Sequence, residues 1–146
     1  PLFDPKVYRK LVKPRHKDLV RHIRSRTLAK IWYHTCGSCV GLIPDLMDNG
    51  IHVLNPVQTS ARDMVPADLK RMFGDRLAFW GGGCDSQHVL PRGTPDAVAS
   101  DVREHVTALM KGGGYVFNNI HNIQGEVPAE NIVAMYDTAY DHGFYQ

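Results

Sequence analysis

The chain has little that would place it in a membrane, in an oxidising compartment or on nucleic acid. No stretch of its 146 residues approaches the roughly 18 to 20 apolar residues that a membrane-spanning helix needs. Cysteine is scarce and odd in number, three in all, and no segment resembles the apolar core of a secretion signal. That combination excludes a disulfide framework and predicts a reducing, cytoplasmic setting. Net charge is only +2, from 17 basic and 15 acidic side chains, so charge gives no reason to expect nucleic acid as a partner. No linker or low-complexity tract divides the chain, and residues 1–146 read as one domain whose 43% apolar content suffices for a core of its own. It opens "PLFDP" with no methionine, which predicts a processed start or a piece of something longer.

One basic concentration is present, Tyr8 to Arg26, where Lys10, Lys13, Arg15, His16, Lys17, Arg21 and Arg24 alternate with Val7, Leu11, Val12, Leu19 and Ile23. This is the pattern of an amphipathic helix with a solvated face; a phosphate- or carboxylate-binding face is the other reading. Asp4 and Pro5 supply its start, and Pro14 predicts a kink or two short helices.

Four apolar runs follow, each read as a buried strand: Leu28–His34, Ile51–Pro56, Leu77–Gly82 and Tyr115–His121. Helical segments separate them. "SCVGLIPDLMDNG" stops at Asn49-Gly50, and "DMVPADLKRMFGD" at Gly74. "TPDAVASDVREHVTALMKGGG" has Thr94 as N-cap, Pro95 at its first position, and Val98, Val102, Val106 and Leu109 on one face. In the last helix Ile132, Val133, Tyr136, Ala139 and Tyr140 are expected to pack inward. Strands alternating with helices, and reading as continuous rather than alternating apolar runs, indicate an α/β fold with a parallel sheet. Flavodoxin-like and barrel arrangements both fit that pattern.

Polar chemistry falls at the strand ends: His34 and Cys36 after the first, Asn55 and Gln58 after the second, Cys84, Asp85 and Gln87 after the third, His121, Asn122 and Gln124 after the fourth. In parallel α/β folds that edge is where ligands bind. His34 and Cys36 are two apart, so their side chains lie on one side of an extended strand, and an imidazole and a thiolate converging there suit Zn(II). A histidine bonded to a carbonyl beside a core cysteine is the plainer alternative. Cys36 and Cys39 also form a CxxC, but Cys39 precedes "VGLIPDL" and reads as a core residue rather than half of a redox pair. The "GGG" at 81–83 lacks the lysine and hydroxyl residue of a phosphate loop, and close backbone approach explains it better.

The series "HTCG", "NPVQTSARDM", "LAFWGGGCDSQHVLPRGTPDAV", "GGGYVFNNIHNIQGEVPAENIVAMY" and "HGFY" resembles the C-terminal half of the uroporphyrinogen decarboxylase superfamily, which includes zinc-dependent methyltransferases acting on corrinoid proteins. The resemblance implies a (β/α)8 TIM barrel of which this chain is the C-terminal half, about four parallel βα units with a leading helix. Its first half would lie elsewhere, and the open edges would be covered by that half or by self-association. Two site assignments follow from it. In the methyltransferases a His-x-Cys binds zinc with a cysteine near the last strand's end. His34 and Cys36 match the pair, and the third place falls to His121 or to Cys84; Asn55, Gln58, Gln87, Asn122 and Gln124 would contact the methylcobamide carried by a partner protein. In the decarboxylases, which lack the His-x-Cys, His121 matches the histidine of Gly-His-Gly, without the flanking glycines. Asp85, in "GGCDS", falls at the aspartate of "GN-x-D-P", and the substrate would be a tetrapyrrole. A third outcome is a non-catalytic half-barrel, in which Arg15, Arg62 and Arg92 are only surface charges; the fragment alone is expected to be inactive.

Overall fold

Asp4 caps the first helix, its carboxylate accepting the Lys6 N–H, and Pro5 follows at the first helical position. A computed structural model describes residues 4–145. Helix α1 (Pro5–Val7) runs through a π-helical turn (Tyr8–Val12) into α2 (Lys13–Arg24). The wide turn is the local answer to Pro14, which has no N–H to give: the Lys13 amide instead reaches back five residues to the Tyr8 carbonyl. The expected break is therefore a bulge.

The remaining elements alternate. β1 (Trp32–His34) leads through a 3-10 turn (Val40–Leu42) to α3 (Ile43–Asp48); β2 (Val53–Asn55) leads to α4 (Pro66–Phe73); β3 (Ala78–Trp80) leads to α5 (Val89–Arg92) and α6 (Pro95–Met110); β4 (Tyr115–Val116) leads to α7 (Ala129–His142). The four strands form one sheet in the order β1-β2-β3-β4, every pair parallel. Sequential parallel order is that of a partial TIM barrel, and it excludes the reversed order of a flavodoxin-like sheet.

The strands are shorter than the apolar runs suggest. Leu28 is 98% exposed, and cross-strand bonding begins only at Ile31, whose carbonyl accepts from His52 and Val53. At the other end β4 stops at Val116, yet the Gly83 amide still bonds the Asn118 carbonyl. That contact explains the glycines: a Cβ at Gly83 would stand 2.8 Å from Asn118 O and 2.5 Å from the Phe117 ring, and Gly82 adopts φ +82° against Val57.

Register separates the two faces of the sheet. Tyr33, Leu54, Phe79 and Tyr115 are aligned and turn toward the helices, where Leu54 and Phe79 join Ile43, Leu46, Leu69 and Leu109 in one core cluster. A second cluster joins Cys84 and Leu90 to Val98, Val102, Val106 and Met135. The α6 stripe packs as its spacing predicts. Helix α7 does not: it buries Asn131, Met135 and Thr138, while Val133, Tyr136 and Tyr140 are exposed and Ile132 and Ala139 half-buried. Asn131 sets this rotation by donating to the carbonyls of Leu90 and Gly93, a bonding opportunity that outweighs the apolar stripe beside it. Leu11 and Leu19 of the leading segment are likewise exposed. Among the described residues no helix is long and apolar enough to cross a membrane.

Asp45 joins the leading segment to α3. Its carboxylate is 2.8 Å from Arg9 Nε and 2.7 Å from Lys13 Nζ, and Asn49 donates to the Lys13 carbonyl. Burial alone would raise the Asp45 pKa, but the hydrogen bonds from Lys13 and Arg9 hold it below the usual carboxylate range. A folded-state pKa below the unfolded one gives stability that is complete above about pH 4 and disappears as pH falls through the folded value. Urea unfolding as a function of pH should therefore show a loss of stability on acidification that is shallower in Asp45→Asn. At neutral pH that variant should be about 1–3 kcal/mol less stable than wild type.

Candidate functional site

The outward face of the sheet carries the chemistry. Alternation from the helix-facing Tyr33–Leu54–Phe79 row puts Trp32, His34, Val53, Asn55, Ala78, Trp80 and Val116 on the opposite side. Trp32 and Trp80 are 47% and 38% exposed, and their rings meet edge to face at 6.4 Å; the Trp32 ring also lies 5.9 Å from that of His34. Neither tryptophan was singled out from the sequence, although the spacing Trp32-x-His34 already puts them on one face.

At the carboxyl edge His34 and Cys36 are brought together, with Nε2 3.4 Å from Sγ. The strand ends at His34, so Cys36 reaches this position from the first residues of the loop. The other ring nitrogen, Nδ1, is 2.7 Å from Asn55 Oδ1, and Asn55 Nδ2 donates to the Trp80 carbonyl. Gln58 accepts the Gly37 N–H at 2.7 Å, where the loop turns with φ +81°. Asn55 is 6% exposed and Gln58 half-buried; both are engaged by the first strand and its loop.

The other predicted residues lie apart from this pair. Cys84 is fully buried in the α6-facing cluster. Asp85 accepts the N–H groups of Gln87 and His88 and lies 2.9 Å from His88 Nδ1. Burial would raise its pKa, but these bonds leave it below the usual range. Gln87 borders a cleft of about 550 Å³ with Ser86, Pro91, Arg92 and Glu126. His121, Asn122 and Gln124 are exposed in the loop after β4, where Asn119 donates to the His121 carbonyl and Gln124 to that of Asn122. His88 and Asn119 were not anticipated; the histidine three places after Asp85 was the available signal. Among the described residues no group of three or more His, Cys, Asp or Glu side chains is placed to hold a metal ion. The structure thus supplies two donors and a hydrogen-bonded support for them. A metal-bound histidine ordinarily has its second nitrogen held in this way, so the pair fits half of a tetrahedral zinc site.

Comparison with known proteins agrees with this geometry at the level of fold. The sequence model of the uroporphyrinogen decarboxylase (URO-D) family matches residues 1–142. A uroporphyrinogen decarboxylase from Azoarcus sp. (strain BH72) is 34% identical over 73 residues, half of this chain and 20% of that enzyme. Among solved structures, a methyltransferase from Methanosarcina mazei superposes with a TM-score of 0.73 at 20% identity, covering 95% of this chain and 38% of the other. The chain therefore spans well under half the length of either.

The three thiols differ sharply in environment. Cys39 is 3% exposed against Met64, and burial raises its pKa to about 11. Cys84 is raised by burial and then by the neighbouring Asp101 carboxylate. Only Cys36 is exposed, so the folded chain near neutral pH should react with an aromatic disulfide reagent at one thiol, the other two appearing on unfolding. Cys36→Ser should remove the fast phase; two fast thiols would contradict the burial of Cys39 and Cys84.

Proposed function

The chain belongs to the uroporphyrinogen decarboxylase family, and from that premise we propose that it is the C-terminal part of a zinc-dependent methyltransferase moving a methyl group from a corrinoid protein to a thiol acceptor. The observation that carries this reading is the His34–Cys36 pair, Nε2 facing Sγ with Nδ1 held by Asn55. A structural capping role for His34 would not require an exposed thiol beside its free nitrogen.

In this reading His34 and Cys36 are two metal donors. His121, exposed at the same edge, is the better third candidate, because Cys84 would have to leave an apolar core to take part. Bound zinc supplies Lewis acidity that lowers the pKa of an acceptor thiol. His34 and Cys36 would hold that zinc, and the activated thiol would take the methyl group that the corrinoid partner gives up, its proton leaving to solvent and the bonding electron pair remaining with the partner. Trp32 and Trp80, packed edge to face, offer an exposed apolar surface beside His34. The rest of the barrel would cover the outward face and shield the site from water.

Tetrapyrrole decarboxylation is the second reading, favoured by the 34% identity to a decarboxylase and centred on His121 and Asp85. The Asp85 carboxylate is already committed to its own turn and to His88, which leaves it poorly placed to serve a substrate.

Zinc titration of the complete protein separates the two. Wild type should bind zinc, Cys36→Ser and His121→Ala should each weaken binding at least about tenfold, and Cys84→Ser should leave it unchanged. A complete protein that binds no zinc, or a Cys36→Ser variant that binds it as tightly as wild type, would overturn the methyltransferase reading in favour of decarboxylation.

A further inference from the structure

The sequence placed Asn55 among the groups that would touch a cofactor, but the structure uses both ends of its carboxamide internally. Asn55 closes β2 and is 6% exposed. Its Nδ2 donates to the Trp80 carbonyl of β3 at 3.1 Å, and its Oδ1 lies 2.7 Å from His34 Nδ1 of β1. Its own carbonyl accepts the Thr35 N–H at 2.7 Å. One residue thereby joins three strands at their carboxyl ends.

The chemistry of these partners fixes each role in turn. The Trp80 carbonyl can only accept, so the amide must turn its NH2 group toward β3. That leaves Oδ1, which can only accept, facing the histidine. The proton of a neutral His34 ring must then sit on Nδ1, and Nε2 is left with a bare lone pair directed at Cys36 Sγ, 3.4 Å away. Without this restraint both neutral tautomers are open to a histidine, and the one protonated at Nε2 cannot donate that lone pair to a metal or accept from the thiol.

We propose that Asn55 is a positioning residue that locks His34 in the Nδ1–H tautomer, with Trp80 as the fixed acceptor that prevents the amide from flipping. Gln58 complements it from the loop after β2 by holding the Gly37 amide next to Cys36, so the end of β2 and the loop that follows it support both halves of the His-x-Cys pair. The significance of the lock for metal binding rests on the methyltransferase reading, whereas the tautomer itself does not.

Nitrogen-15 NMR of the histidine rings in metal-free protein tests the lock directly, with His34 assigned by comparison with His34→Gln and each spectrum recorded at a pH where the ring is neutral. Wild type should show His34 protonated at Nδ1 and bare at Nε2. Asn55→Asp keeps an acceptor in place and should preserve that tautomer, whereas Asn55→Leu should release it to the Nε2–H form or to a mixture. A wild-type His34 protonated at Nε2, or an Asn55→Leu protein still purely Nδ1–H, would overturn the proposal. If Asn55→Leu does not fold, the wild-type and Asn55→Asp spectra decide by the same criterion. Titration of the complete protein with Co(II) forms a second arm, in which Asn55→Leu should weaken binding by about 10–100-fold and Asn55→Asp should restore most of it. The expected tautomers combined with equal Co(II) affinity in wild type and Asn55→Leu would uphold the lock and overturn the metal half-site reading.

Discussion

The carboxamide of Asn55 ties the first three strands together at the edge where their chemistry emerges. Parallel pairing alone brings His34, Asn55 and Trp80 to a common level, but it leaves side-chain rotation free. Buried amide bonds to His34 and to the Trp80 carbonyl remove that freedom, and leaving either end unpaired at 6% exposure would cost the desolvation of a polar group. The same bonds therefore fix strand-end geometry and prepare a nitrogen donor. Stability and site orientation are here one interaction.

The rest of the molecule serves to bring that edge into being. Asp45 holds the leading helical segment on α3 through Arg9 and Lys13, and the Leu54–Phe79 core holds the sheet against its helices. The glycines at 82 and 83 let β3 pass close to Val57 and to the chain after β4. What is left unburied is equally informative. Trp32, Trp80 and Val116 on the sheet, Val133, Tyr136 and Tyr140 on α7, and Leu11 and Leu19 on the leading segment are large apolar groups exposed on three surfaces.

Much of this was legible in the sequence, for identifiable reasons. Helix α6 has a threonine cap, a proline start and a regular apolar stripe, so propensity, capping and packing all agree. Parallel order followed from apolar runs separated by helices. Strand limits were not legible, because an apolar run does not show where its partner begins: Leu28 and Ile31 belong to the same run, yet only Ile31 bonds across to the next strand. The inward face of α7 was hidden because Asn131 is held by carbonyls at the end of α5, about forty residues earlier. The sequence marks Asn55 as a cofactor contact; that its carboxamide is held by His34 and the Trp80 carbonyl is hidden for the same reason, since spacing does not show what stands across the sheet.

The contrast among the cysteines shows how strongly position within the fold overrides residue type. Cys36 and Cys39 are three apart, yet one faces solvent beside an imidazole and the other contacts Met64 in the core with its pKa raised to about 11. A thiol must become a thiolate to bind metal, and neither core position favours that charge. Cys84 is the stronger case, because desolvation and the Asp101 carboxylate both oppose ionisation. Cys36 is exposed and has the His34 Nε2 atom 3.4 Å away. Within the proposed zinc reading, the exposed edge with Cys36, His34 and His121 is therefore a better source of donors than the core, where Cys39 and Cys84 are buried.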